Sequence, residues 1–228
     1  MISTALIGAI SLNLSFILYL LVYLPQILHN RASQNLANLS IGMHVILLSS
    51  YCLDLIYGFS NHLQWQYITV SVVSLTLLII QHGQLSLYFL SQKKWQPLNF
   101  NLFFIVFACA AVTYFFTIKQ ATLTVQTTQT IGYLSRAGFL IFTLPQIIKN
   151  KTLSSANAIC NQYIHLSMIL CLLDMTSAWC LDWGWPNKLG SPLTMSLLLM
   201  IRHQQKKYRS MHPIRTLDAH PRLQVKQI

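Results

Sequence analysis

Three charged side chains stand within apolar sequence: Asp54, Arg136 and Asp174. The chain has only four acidic residues, all aspartate, so two of them in such surroundings call for a chemical reason. An ionised carboxylate near the middle of a bilayer costs at least about 2.5–3.5 kcal/mol, which restricts it to a partner, a protonated form or a water-filled cavity. Asp54 and Asp174 are therefore candidates for proton exchange or for holding a cationic substrate. The alternative is a buried lock between helices. No cation stands near Asp54 in the sequence. Arg136 is expected roughly 6 Å deeper in the membrane than Asp174, from the 1.5 Å rise per residue, and its long stem can cover that distance. The expectation is an Arg136–Asp174 pair, with Asp54 left as the free acid. His44 and His165 are candidates for proton relay at physiological pH, or for interhelical hydrogen bonds. Asn13, Tyr19, Tyr51 and Tyr133 are candidates for lining a central cavity. Asn161 and Gln162 are candidates for the same role nearer the cytoplasm, or for capping the sixth helix.

The elements that position these groups are membrane helices. The chain is 54% hydrophobic and 8% charged, with a mean hydropathy of +0.51. Soluble domains carry about a quarter charged residues, so this is an all-α integral membrane protein. Breaks at polar and Pro/Asn clusters leave seven apolar segments, over 4–28, 39–60, 66–90, 100–118, 125–148, 158–181 and 187–206, each matched to about 30 Å of hydrocarbon. The first has no basic cluster before it and is expected to be a retained helix rather than a cleaved leader. The five cysteines are unpaired in spacing and read as small apolar side chains.

The segments repeat. Tyr23-Leu24-Pro25-Gln26 returns as Thr143-Leu144-Pro145-Gln146, 120 residues later. The same offset carries Asp54 onto Asp174 and Trp65 onto Trp185. It also carries Ser71, Ser74, Leu77 and Leu78 onto Ser191, Thr194, Leu197 and Leu198, which supports the weakly apolar seventh segment. Two three-helix units joined by one helix give a 3+1+3 layout, in which the odd linker makes the halves parallel repeats. The expected boundaries are 1–92 for the first bundle, 93–124 for the linker region, 125–208 for the second bundle and 209–228 for a basic cytoplasmic tail. Phe16 occupies the place of Arg136 in the first half, so the halves differ in charge.

Lys and Arg set the orientation. Twelve of the fifteen fall in the loops after segments one, three and five and in the tail, against Lys119 and Lys188 on the opposite side. The N-terminus is expected outside or in the lumen, and the C-terminus in the cytoplasm. Trp65, Tyr67, Trp95, Trp183 and Trp185 read as interface anchors. The formal charge of +11 is thus a topology and lipid-headgroup signal rather than a nucleic-acid one, and the tail is expected to meet anionic headgroups. The compact loops and the lack of a glycosylation signal after Asn61 or Asn101 suggest a bacterial inner membrane, with an endolysosomal or vacuolar membrane as the alternative.

Proline within a helix removes a donor and kinks the helix, here releasing the carbonyls of Leu21 and Ile141. Pro25 with Gln26, and Pro145 with Gln146, read as hinges near the cytoplasmic end; the simpler alternative is that each proline ends its helix. These paired segments, with Asn30-Arg-Ala-Ser and Asn150-Lys-Thr-Leu-Ser-Ser behind them, resemble the PQ-loop family over about residues 4–208. That family includes lysosomal and vacuolar exporters of cystine and cationic amino acids and is related to the SWEET sugar carriers. The resemblance implies seven helices in the 3+1+3 layout and a small-solute carrier working by alternating access about the Pro-Gln hinges. Ser40-Ile41-Gly42 is similar to a step in the cystine exporters, whose acid follows sooner than Asp54 does. Asp54-Leu-Ile-Tyr-Gly58 is closer to the cationic amino acid exporters, although their Gly-Asp step is absent. Cationic amino acids, with protons as a coupling ion, are the favoured substrates. A sugar carrier and a seven-helix receptor or adaptor similar to the KDEL receptors are the alternatives. No phosphate loop or metal-ligand spacing points to an enzyme or a cofactor, and the oligomeric state is left open.

Overall fold

The computed structural model describes residues 3–119, 123–183 and 185–211. Every regular element among them is a helix: α1 (Thr4–Leu21), α2 (Leu24–His29), α3 (Ser33–Asn38), α4 (Ile41–Ser60), α5 (Trp65–Ser91), α6 (Trp95–Tyr114), α7 (Val125–Ile141), α8 (Leu144–Leu153), α9 (Asn161–Cys180) and α10 (Trp185–Met211). A π-helical turn over Phe115–Lys119 extends α6.

The 120-residue offset reappears in the backbone. It maps α4 onto α9 without a shift at either end and lays α5 over the described length of α10. The turns that close α4 and α9 match as well. His62 and Asp182 both take left-handed φ, at 50° and 51°. The amides of Leu63 and Trp183 return to the carbonyls of Gly58 and Ala178 at 3.0 and 2.9 Å, which is the Schellman closure of a helix end.

Six described stretches are long and apolar enough to cross a membrane: Thr4–His29, Ile41–Ser60, Trp65–Ser91, Trp95–Ile118, Val125–Leu153 and Asn161–Cys180. The fourth starts five residues before the expected boundary at 100, because Pro97 falls in the first turn of α6, where a missing N–H costs little. The seventh expected segment is helical as α10 but is not among the six, since its apolar run gives way to Arg202 and the basic residues beyond. The sequence from residue 212, which holds most of the expected basic tail, lies outside the described residues.

The halves pack through exchanged partners. The first helix of each half lies against the second helix of the other, α1 on α9 and α7 on α4. Within each half the third helix touches both neighbours, α5 contacting α1 and α4, and α10 contacting α7 and α9. Small residues let α7 approach α4 closely. A Cβ at Gly138 would stand 2.0 Å from Ser50 Oγ, and one at Gly132 would stand 2.6 Å from the Tyr57 ring. The linker helix α6 packs on α4 and α5. It is held by Asn101, which is fully buried, pairs with His82 Nδ1 at 2.6 Å and donates to the His82 carbonyl at 2.9 Å.

Candidate substrate cavity

Between the halves lies a cavity of about 610 Å³ lined by Asp54, Asp174 and Arg136, by Tyr19, Tyr23, Tyr51, Tyr67 and Tyr163, and by Ser71, Ser191 and Thr194. Asp54 is buried on α4. Its carboxylate accepts from Tyr67, from Ser71 at 2.7 Å and from Ser135 at 3.3 Å, three hydroxyls on two further helices. The Tyr67 hydroxyl accepts in turn from Arg136 at 3.1 Å, and the guanidinium lies 5.8 Å from the Tyr67 ring centre. Asp174, on α9, accepts from Tyr19 at 2.5 Å.

This arrangement corrects the expected charge pairing. Among the described residues, the one ion pair is Lys188 with Asp182 at 2.6 Å, so Arg136 makes no direct contact with Asp174. Tyr67 draws Arg136 to the Asp54 side instead. Asp54, expected to be the free acid, is the better satisfied of the two. Asp174 carries the sparser shell. Desolvated carboxylates are tolerated when hydroxyls donate to them, and α5 and α7 bring those donors to Asp54.

The cavity is lopsided along the helices. Its wall reaches Leu63, Gln64 and Trp183, in the turns after α4 and α9. Towards the other end stand Tyr23, Tyr51 and Tyr163, all buried. The Tyr23 hydroxyl donates to that of Tyr51 at 3.1 Å, and the Tyr23 and Tyr163 ring centres are 5.8 Å apart.

Below this cluster α1 and α7 break at Val22-Tyr23 and Phe142-Thr143, and each chain resumes as a short helix with proline in its first turn. Pro25 has no N–H to return to the Leu21 carbonyl, so the ladder restarts with Ile27 donating to Tyr23 at 3.0 Å. The glutamines after the prolines are buried and cross between halves. Gln26 Oε1 accepts from the Cys160 amide at 2.8 Å, while its Nε2 donates to the Ala158 carbonyl at 2.9 Å. Gln146 Oε1 accepts from the Ser40 amide at 2.7 Å, and its Nε2 donates to the Asn38 carbonyl at 3.1 Å. Each glutamine also donates to the asparagine four residues on, Asn30 or Asn150, at 2.7 Å.

The family model for the PQ loop repeat matches residues 7–67, which contain Pro25-Gln26 and Asp54. Over those residues the chain is similar to a PQ-loop repeat. A search of the curated proteins gives no match.

The remaining sequence-derived candidates are scattered. Tyr19 and Tyr51 line the cavity as expected. Asn13 and Tyr133 do not; both are exposed, and Asn13 Nδ2 donates to the Ala9 carbonyl of its own helix at 2.9 Å. His44 is fully buried away from the cavity and pairs with Gln81 at 2.9 Å, on the contact between α4 and α5. His165 is exposed on α9. It stands one residue past the equivalent of His44, and one residue turns a helical side chain by about 100°. Asn161 accepts from Arg202 at 3.2 Å, outside the cavity, and Gln162 is exposed. Tyr67 and Trp183, expected as interface anchors, line the cavity. The Trp185 side chain lies outside the described residues.

The residues missed were Tyr67, Ser135 and the pair Tyr23 and Tyr163. For Ser135 a signal existed, since the offset places it on Ser15, which lines the cavity. Tyr67 had none, because a tyrosine near a helix end looks the same whether it faces lipid or a carboxylate.

Proposed function

We propose that this PQ-loop protein is a carrier of small solutes, cationic amino acids foremost, working by alternating access. One observation carries the reading: a single cavity holds two carboxyls against one guanidinium, reaches the turns after α4 and α9, and stops short of the crossed glutamines. Two acids against one base leave one formal negative charge, which a substrate of net charge +1 balances. A site of this size can enclose an amino acid, as ligand cavities generally run from about 300 to 1,000 Å³.

In this reading α10 makes a seventh crossing, completing two three-helix bundles around α6. The excess of Lys and Arg supports a glutamine layer in the cytoplasmic half and a cavity mouth outside or in the lumen. The arrangement is then the outward-facing state. Movement about Pro25 and Pro145 releases the crossed glutamines and closes the opposite mouth, so that one side opens only as the other shuts. Asp54, or Asp174 with its sparser shell, exchanges the coupling proton. The membrane is a bacterial inner membrane or, failing that, an endolysosomal or vacuolar one.

The test is counterflow into proteoliposomes of radiolabelled Lys, Arg, His, cystine and glucose, with and without a proton gradient. Saturable flux of Lys or Arg that the gradient stimulates is the expected result. Flux of glucose alone, or binding without flux, would transfer the assignment to a sugar carrier or a receptor.

A further inference from the structure

Arg136 presents five N–H donors in one plane, and among the described residues only one hydrogen bond uses them, to the Tyr67 hydroxyl at 3.1 Å. No carboxylate oxygen of the described residues stands within 4.0 Å of its nitrogens. A purely structural arginine at this depth would be expected to meet an acid directly, often through two parallel hydrogen bonds. Here the acid on its side, Asp54, is already met by three hydroxyls, and one of these stands between the two charges. A hydroxyl accepts from a guanidinium but does not neutralise it. The cation therefore faces the cavity it lines with most of its donors unused. Nothing in the first half duplicates it, since its equivalent is Phe16. The fork matches the geometry of a carboxylate, which the protein itself does not offer it.

We propose that Arg136 binds the carboxylate of the substrate, so that the carrier selects amino acids over the corresponding amines. This rests on the amino acid reading above and adds a residue and a selectivity to it. The acids alone account for attraction of any organic cation. Arg136 adds repulsion for an amine that brings no carboxylate to offset its charge and a fork that only a carboxylate fills, so loss of the discrimination in an Arg136 variant separates the anchor from net charge.

The test compares L-lysine, cadaverine and L-lysine methyl ester as inhibitors of radiolabelled lysine counterflow in proteoliposomes of the full chain. All three are cationic, and only lysine has a free carboxylate. Cadaverine and the ester should each inhibit about tenfold or more weakly than lysine, as expected for loss of a charged hydrogen-bonding partner. Equal inhibition by cadaverine would overturn the anchor while leaving a cation carrier standing. Absence of lysine flux from active liposomes would overturn the cationic amino acid reading and the anchor with it. In protein carrying Arg136→Gln, lysine should fall to the level of cadaverine, whereas Arg136→Lys should keep part of the discrimination. A gap between lysine and cadaverine that survives intact in folded Arg136→Gln protein would also refute the anchor. Because the ligand series is run on the natural chain, the answer does not depend on either variant folding.

Discussion

Gln26 caps a helix that belongs to the other half of the molecule: its side-chain oxygen receives the amide of Cys160, the residue immediately before α9. Gln146 does the same for Ser40, immediately before α4. The four residues form two pairs related by the 120-residue offset, the pattern expected of a two-fold relationship between parallel repeats. A second pair accompanies them, with His29 Nε2 lying 2.7 Å from the Asn157 carbonyl and Lys149 donating to the Ala37 carbonyl at 3.0 Å. Helix-end amides that would otherwise need water are thus satisfied across the boundary between the halves. The contact that ends two helices also holds the bundles together.

Replacing either glutamine by leucine should strand a buried amide and a buried carbonyl on the opposite half. A loss of about 1–3 kcal/mol per variant is expected, seen as a lower midpoint of thermal unfolding in detergent. The transport state should respond too. Cys160 is half-buried beside Gln26, and its thiol should react faster with a maleimide in a Gln26→Leu chain retaining no other cysteine. Unchanged reactivity alongside unchanged stability would show that these bonds hold nothing closed.

Gly138→Ala should damage folding, because the new Cβ would meet Ser50 Oγ at 2.0 Å. Overpacking of this kind costs about 1–3 kcal/mol. Ser50→Ala removes that oxygen, and the next contact, with the Ser50 Cβ, is at 3.2 Å. The double variant should therefore recover most of the folded yield on size-exclusion chromatography.

Arg136 and Tyr67 should be energetically coupled, and Arg136 and Asp174 much less so. In a double-mutant cycle with Arg136→Gln and Tyr67→Phe, a coupling of about 0.5–3 kcal/mol is expected for residues in contact. The cycle with Asp174→Asn should be closer to additive. Strong rescue of Arg136→Leu by Asp174→Leu would restore the direct pair that the geometry disfavours.

Asp54→Asn places donor hydrogens against an oxygen shell that already donates, so proton-driven flux should disappear and stability should fall. Tyr19→Phe removes the hydroxyl on Asp174 while preserving the ring. It should raise the KM for lysine and leave unfolding within about 1 kcal/mol of the natural chain, the usual net worth of one hydrogen bond. Gradient-driven uptake compared with thermal unfolding separates the two effects. If Asp54→Asn left gradient-driven uptake intact, another group would have to carry the proton.

The amino-acid order by itself determined what is local or periodic. Apolar runs specify spans because an unpaired backbone in lipid is too costly to leave outside a helix, and six helices long and apolar enough to cross stand among the described residues. The Pro-Gln pairs specify breaks because proline has no N–H, and α1 and α7 end beside them. The offset specified which residues are equivalent, and it carried over to the helix ends and their turns. Pairing was a different matter. Whether Arg136 meets Asp174 or the Tyr67–Asp54 group depends on which helices cross the boundary between the halves, and α7 packs on α4 rather than on α9. Facing was also beyond reach where a single residue of register decided it, as with His165, or where lipid and cavity accept the same side chain, as with Tyr67 and Tyr133. Helix formation answers to neighbours within four residues. The cavity is built from side chains on separate helices, and only their packing decides which hydroxyl reaches which acid.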